Sequence, residues 1–253
     1  MTRRLVTLTV LIGVVALMLS GCVPSPAALR KGPAAREQSP STSTSPPSLV
    51  QRSALDPGSR VTIVGDSIVR GLGVGSQQAW PALVGDDLGW TVTNLGCDGG
   101  GFIETGDCDA AIGDRAQEIA ATAPDAIVLI ASSNDLSWPT ETVNKAILPA
   151  VRAIAEAVPS AKLIALDSVW GPHSRPEDLD AYDATLAASV TASGGTALQY
   201  PDPLQVDGLL GEDGVHPTVA GQLALADAFV VASEKAGLAD VVPRNQWATG
   251  APF

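Results

Sequence analysis

The chain has only two histidines, three cysteines and no Cys-x-x-Cys pair, so it offers no thiolate and imidazole cluster of the spacing a zinc site uses. It contains no Gly-Lys-Ser/Thr, which excludes a P-loop. Gly71, Gly73 and Gly75 follow an apolar run but do not make Gly-x-Gly-x-x-Gly, so a dinucleotide fingerprint is also missing. No internal repeat is visible. Basic residues are scarce over most of the length: from Asp56 onward 26 acids face nine bases, a net charge of −17. That excludes the basic stripe a nucleic-acid binder presents, and reads as solubilising surface charge. What remains is 253 residues, 45% hydrophobic and 17% charged, enough for one medium-sized domain with additions.

The additions lie at the ends. Arg3 and Arg4 precede an apolar run over residues 5–19, which is short for a membrane span. A basic start, an apolar core and small residues before a cut site describe an export signal over residues 1–21. Its ending, Leu19-Ser20-Gly21-Cys22, resembles a bacterial lipobox, which implies lipidation of Cys22 and anchoring at the outer face of the cell membrane. Residues 22–57 are dominated by Ser, Thr, Pro, Ala and Arg and read as a disordered tether. Its basic residues suit anionic headgroups. The folded domain is expected over 58–238, followed by a polar extension over 239–253. Cys97 and Cys108 are an even pair in an oxidising compartment, where a disulfide closing so short a loop contributes roughly 2–3 kcal/mol.

Between these ends, strands and helices alternate. Segments at 61–64, 90–95, 126–131, 162–167 and 196–200 read as strands, the third apolar throughout as for burial on both faces and the fourth also buried. Helical patterns cover 80–88, 112–122, 142–158 (with Pro149 a kink), 179–193 and 217–236, the last with Leu223, Ala226 and Val230 on one stripe. Such alternation implies an α/β fold, a mainly parallel sheet with helices on both faces.

The residues after the strands carry the chemistry. Gly65-Asp66-Ser67 follows the first, Asn94-Leu95-Gly96-Cys97-Asp98-Gly99-Gly100-Gly101 closes the second, and Ser132-Ser133-Asn134-Asp135 follows the third. Asp213-Gly214-Val215-His216 precedes the last helix. In a doubly wound sheet these loops gather at the carboxyl edge. They supply a hydroxyl, a glycine-rich backbone, a side-chain amide and an Asp/His pair, the parts acyl transfer from an ester requires. Ser67 needs a base, which His216 can be. Asp213, three residues earlier, can hold the imidazole tautomer. Ser67 N–H, Gly99 N–H and the Asn134 amide can form an oxyanion hole. Activity is then lost on the acid side as His216 protonates.

Taken together, the four blocks resemble the SGNH (GDSL-type) hydrolase family of esterases and lipases over residues 60–236. Residues 78–83 are similar to its bacterial thioesterase and lysophospholipase-like members. The resemblance implies a three-layer α/β/α sandwich of flavodoxin-like type. It also implies Ser67 as nucleophile, Asp213 and His216 completing the triad, Ser67, Gly99 and Asn134 as oxyanion donors, and no cofactor or metal. Its third block begins with glycine where this chain has Ser132. The run Gly99-Gly100-Gly101 leaves the oxyanion glycine open by a residue. A disulfide at Cys97 would brace the loop carrying Gly99. Asp135 is either part of the site or a cap of its own turn. Trp138 and Trp170 are candidate cleft walls, Trp80 a core residue and His173 a solvated loop residue. The expected activity is hydrolysis of a lipid, acetylated-glycan or small ester by a monomer. A non-catalytic surface-binding lipoprotein and acyl transfer to a wall glycan are the competing readings.

Overall fold

The computed structural model describes residues 54–239. The export signal, Cys22, nearly all of the expected tether and the C-terminal extension after Ala239 lie outside the described residues. Among the described residues no helix is long and apolar enough to cross a membrane.

Five strands form one parallel sheet: β1 (Arg60–Gly65), β2 (Thr91–Gly96), β3 (Ala126–Ile130), β4 (Lys162–Leu166) and β5 (Thr196–Leu198), in spatial order β2-β1-β3-β4-β5. The helices are α1 (Ser67–Arg70), α2 (Trp80–Leu88), α3 (Ala116–Ala121), α4 (Thr140–Ala157), α5 (Glu177–Ala192) and α6 (Val219–Lys235). Side chains alternate across each strand, so a strand buried on both faces feeds two cores. Ala126, Val128 and Ile130 of β3 join Trp80, Val84 and Phe229 on the α2/α6 side. Ile127 and Leu129 join Ile119, Ile147, Val151, Leu179 and Leu186 on the α3/α4/α5 side. The result is the expected α/β/α sandwich, with β1 and β3 central.

Several local expectations change. The helix expected over 112–122 is a tight turn, Ile112–Arg115, followed by α3. The fifth strand stops at Leu198. The helix expected over 142–158 is α4, Thr140–Ala157, two residues longer at its start and running through Pro149 as expected. Of the stripe Leu223, Ala226 and Val230, only Ala226 is fully buried, and Leu223 is 43% exposed. The buried face of α6 is Gln222, Leu225, Ala226, Phe229, Ala232 and Ser233. Aromatic contacts set that rotation: the Phe229 ring lies 5.4 Å from Trp80 and 6.3 Å from Trp90. Gln222 Oε1 also accepts the Trp80 N–H at 2.8 Å, which holds its polar side chain in the core. The folded body is slightly wider than 58–238, because Leu55 donates its N–H to Leu238 O at 2.7 Å and both Leu55 and Ala239 are buried.

Candidate active site

The strands end together, and their following loops meet at the carboxyl edge of the sheet. β1 stops at Gly65, where a Cβ would come within 2.5 Å of the Val69 side chain. Asp66 then caps α1: its Oδ1 accepts the Ile68 N–H at 2.9 Å, ordinary N-cap chemistry for an aspartate. Ser67 is the first helical residue and is buried, with its hydroxyl directed at the imidazole described next. The end of β2 lies so near α1 that a Cβ at Gly96 would meet Arg70 N at 2.2 Å. Asn94 ties the two together, donating to Val69 O at 2.7 Å and accepting the Gly96 N–H at 2.9 Å.

His216 and Asp213 arrive on the short loop before α6. Asp213 Oδ1 accepts the N–H groups of Val215 and His216, both at 2.9 Å, and its Oδ2 stands 2.7 Å from His216 Nδ1. The other ring nitrogen, Nε2, is 2.9 Å from Ser67 Oγ. The bond to His216, then the N–H groups of Val215 and His216, hold the Asp213 carboxyl well below the usual carboxylate range. Asp213 therefore favours an Nδ1-protonated imidazole, leaving Nε2 free to accept the Ser67 proton. The aspartate side chain is 53% exposed and the histidine 23%, so this half of the site stands in water.

In the opposite half Gly99 is exposed and Asn134 half-buried, over a buried frame of Asp66, Ser132 and Asp135. Asn134 donates from Nδ2 to Gly100 O at 3.0 Å, and an amide carries two donors, so a second N–H remains. Gly99 adopts a left-handed φ of +71°, and its N–H, like that of Ser67, has no acceptor among the described residues. Asp98, one residue earlier, is held by a forked ion pair with Arg70. Cys97 and Cys108 form a disulfide across this loop, with Cα atoms 6.0 Å apart.

Asp135 does not act as a cap of its own turn. It is fully buried and accepts the N–H groups of Phe102, Ile103 and Glu104 at 2.7, 3.1 and 2.9 Å. Burial pushes its carboxyl up, and those three donors oppose the shift. Gly101 leaves the space for this carboxylate, since a Cβ there would lie 2.5 Å from both oxygens. Ser132 is likewise fully buried, donating to Asp66 Oδ2 at 2.7 Å and accepting the Asn134 N–H at 3.1 Å. The Asp66 cap was legible beside Ser67, whereas the tertiary bonds of Asn94, Ser132 and Asp135 had no local signal.

The remaining candidates sit at the periphery. Trp80 is core. Trp138 is 43% exposed, with its indole N–H on Glu104. Trp170 donates its indole N–H to Ser174 O at 3.0 Å, and His173 is exposed. A cavity of about 20 Å³ lies between Asp66, Ile68, Val69, Trp80, Ile130 and Leu166, and neither Ser67 nor His216 lines it. That is room for about one water molecule.

Residues 63–224 match the GDSL-like Lipase/Acylhydrolase family. No curated protein matches the chain. Among solved structures, one is described as TesA: it is 21% identical, with a TM-score of 0.57 over 70% of this chain and 99% of that one. A variant of Axe2, an acetyl-xylooligosaccharide esterase from Geobacillus Stearmophilus, is 20% identical, with a TM-score of 0.55 over 75% of this chain and 99% of that one. A family two carbohydrate esterase from Cellvibrio japonicus is 16% identical, with a TM-score of 0.58 over 73% of this chain and 63% of that one. At these identities the likeness is one of fold.

Proposed function

This chain belongs to the GDSL-like lipase/acylhydrolase family, and from that premise we propose that it is a serine esterase cleaving carboxylic esters through an acyl-enzyme. The observation that carries this reading is the unbroken run from Asp213 Oδ2 to His216 Nδ1 at 2.7 Å and from His216 Nε2 to Ser67 Oγ at 2.9 Å. Ser67 Oγ attacks the ester carbonyl as its proton passes to Nε2. Charge develops on the carbonyl oxygen, where the N–H groups of Ser67, Gly99 and Asn134 Nδ2 stabilise it. The C–O bond to the alcohol breaks and the leaving alkoxide takes the proton from the imidazolium. Water then attacks the acyl-serine with His216 as base, releasing the acid and restoring the hydroxyl.

Two of the structural neighbours are described as an acetyl-xylooligosaccharide esterase and a carbohydrate esterase, which makes acetylated glycans the first substrates to try. Hydrolysis of p-nitrophenyl acetate by wild type and Ser67→Ala, together with fluorophosphonate labelling, tests the reading. Ser67→Ala is expected to lose the label and at least ~10⁴-fold in kcat; equal rates in the two proteins reject it. In a graded ester series, acetate is expected to exceed octanoate in kcat/KM.

The address is part of the same proposal. The Leu19-Ser20-Gly21-Cys22 ending supports lipid attachment at Cys22, with the domain held outside the membrane by a tether. Palmitate should label the wild-type protein in a bacterial host and fail to label Cys22→Ala; equal labelling removes the anchor from the account.

A further inference from the structure

The family block that begins with glycine begins here with Ser132, and the structure gives that hydroxyl two partners. A serine hydroxyl has one proton to give and lone pairs to receive. Ser132 gives its proton to Asp66 Oδ2 at 2.7 Å and, capping its own turn, receives the backbone N–H of Asn134 at 3.1 Å, with none of its surface in water. Each partner leads directly to a reacting group. The other oxygen of Asp66 caps the turn that carries Ser67. The other end of Asn134 reaches Gly100 O, next to Gly99. The hydroxyl therefore joins the nucleophile's loop to its own, and the Asn134 side chain carries the connection on to the glycine loop.

Glycine at this position would leave a buried Asp66 oxygen and the Asn134 backbone N–H without these partners. Asp66 is buried, and the Ser132 hydroxyl is the only side chain that donates to it among the described residues. We propose that Ser132 is a positioning residue of this esterase: it fixes the Asn134 amide relative to Ser67, so that nucleophile and oxyanion donor are held as one unit. The proposal rests on the esterase reading above. Its stake is geometric, because small misplacements of groups that act in the transition state cost rate rather than substrate binding.

The test is a double-mutant cycle on p-nitrophenyl acetate turnover, with Ser67→Ala as background and the Tm of every protein recorded. Ser132→Ala and Ser132→Gly are expected to lower kcat about 10–100-fold while KM stays within about twofold. Asn134→Ala alone should cost about 10²–10³-fold in kcat. In the Asn134→Ala protein, adding Ser132→Ala should cost less than about threefold, because the group it positions is gone. Two results overturn the proposal: a Ser132→Ala kcat within twofold of wild type, or the full Ser132→Ala penalty repeated in the Asn134→Ala background. A residue that only supports the fold gives that additive result, with lower Tm. Ser132→Gly keeps the cycle readable if Ser132→Ala does not fold. Wild type no faster than Ser67→Ala rejects the esterase reading itself, and this proposal with it, which is distinct from wild type turning over while Ser132→Ala matches it.

Discussion

The two halves of the site are built in opposite ways. The base half is local and wet: Asp213 and His216 are three residues apart, held by a loop that bonds to itself, and the aspartate is half exposed. The oxyanion half has Gly99 exposed and Asn134 half-buried but rests on a dry, long-range frame: Asp66 meets Ser132 across 66 residues, and Asp135 meets Phe102 across 33. In water an unmet hydrogen bond is replaced by solvent, whereas in the interior it remains unmet. The base half should therefore tolerate change through solvent, while the oxyanion half should fail as a structure as well as a site.

The strongest way to break this contrast is Asp135→Ala. It removes the acceptor for three N–H groups that hold the loop beyond Gly99. The expected loss is about 3 kcal/mol or more of stability, read by urea unfolding, with kcat falling in the folded fraction. A loss below ~1 kcal/mol would mean that water reaches the loop and that this frame is not dry.

Next comes Asp213→Asn. An amide in place of the carboxylate no longer secures the Nδ1 tautomer. Because Asp213 is 53% exposed, water can take over part of its role, and the expected loss is about 10–10²-fold in kcat with Tm nearly unchanged. A loss near 10⁴-fold, as a buried triad aspartate gives, would show that exposure does not soften this position and would erase the contrast.

The smallest effect lies outside both halves, at the end of β4. Asp183 binds the Ser168 N–H and hydroxyl and pairs with Arg175. Burial pushes its carboxyl up to about 6, against the Ser168 bonds and the Arg175 charge. The folded chain thus holds this proton more tightly than the unfolded chain. The contribution to stability is full below about pH 4 and is lost as pH rises through 6. The Tm advantage of wild type over Asp183→Asn should therefore shrink by about 2–4 °C between pH 4 and pH 6. A constant or growing difference would place the ionised form in the folded state throughout.

Much of the fold was legible because a parallel sheet writes itself locally. The run at 126–131 is apolar throughout since β3 is buried on both faces, and glycine or aspartate marks where β1, β2 and β4 give way to loops. The helix faces were less legible. Leu223 fits a helical stripe as well as Leu225 does, and only the Trp80, Trp90 and Phe229 contacts decide which of them turns inward. The same holds in the site. Ser132 read as a departure from a block and Asp135 as either a site residue or a turn cap, because their partners are brought to them by the fold.

The sequence by itself determined the strand order along the chain, the loops that follow the strands, and the residue types of nucleophile, base and orienting acid. Those depend on short spacings: Ser67 at the first turn after a strand, and Asp213 three residues before His216. Only the tertiary structure decided that His216 Nε2 stands 2.9 Å from Ser67 Oγ across 149 residues, and that Ser132 and Asp135 bind three loops into one buried frame. The physical reason is that a buried hydrogen bond is made wherever the packed sheet brings donor and acceptor together, and nothing in either residue's own neighbourhood records where its partner will be.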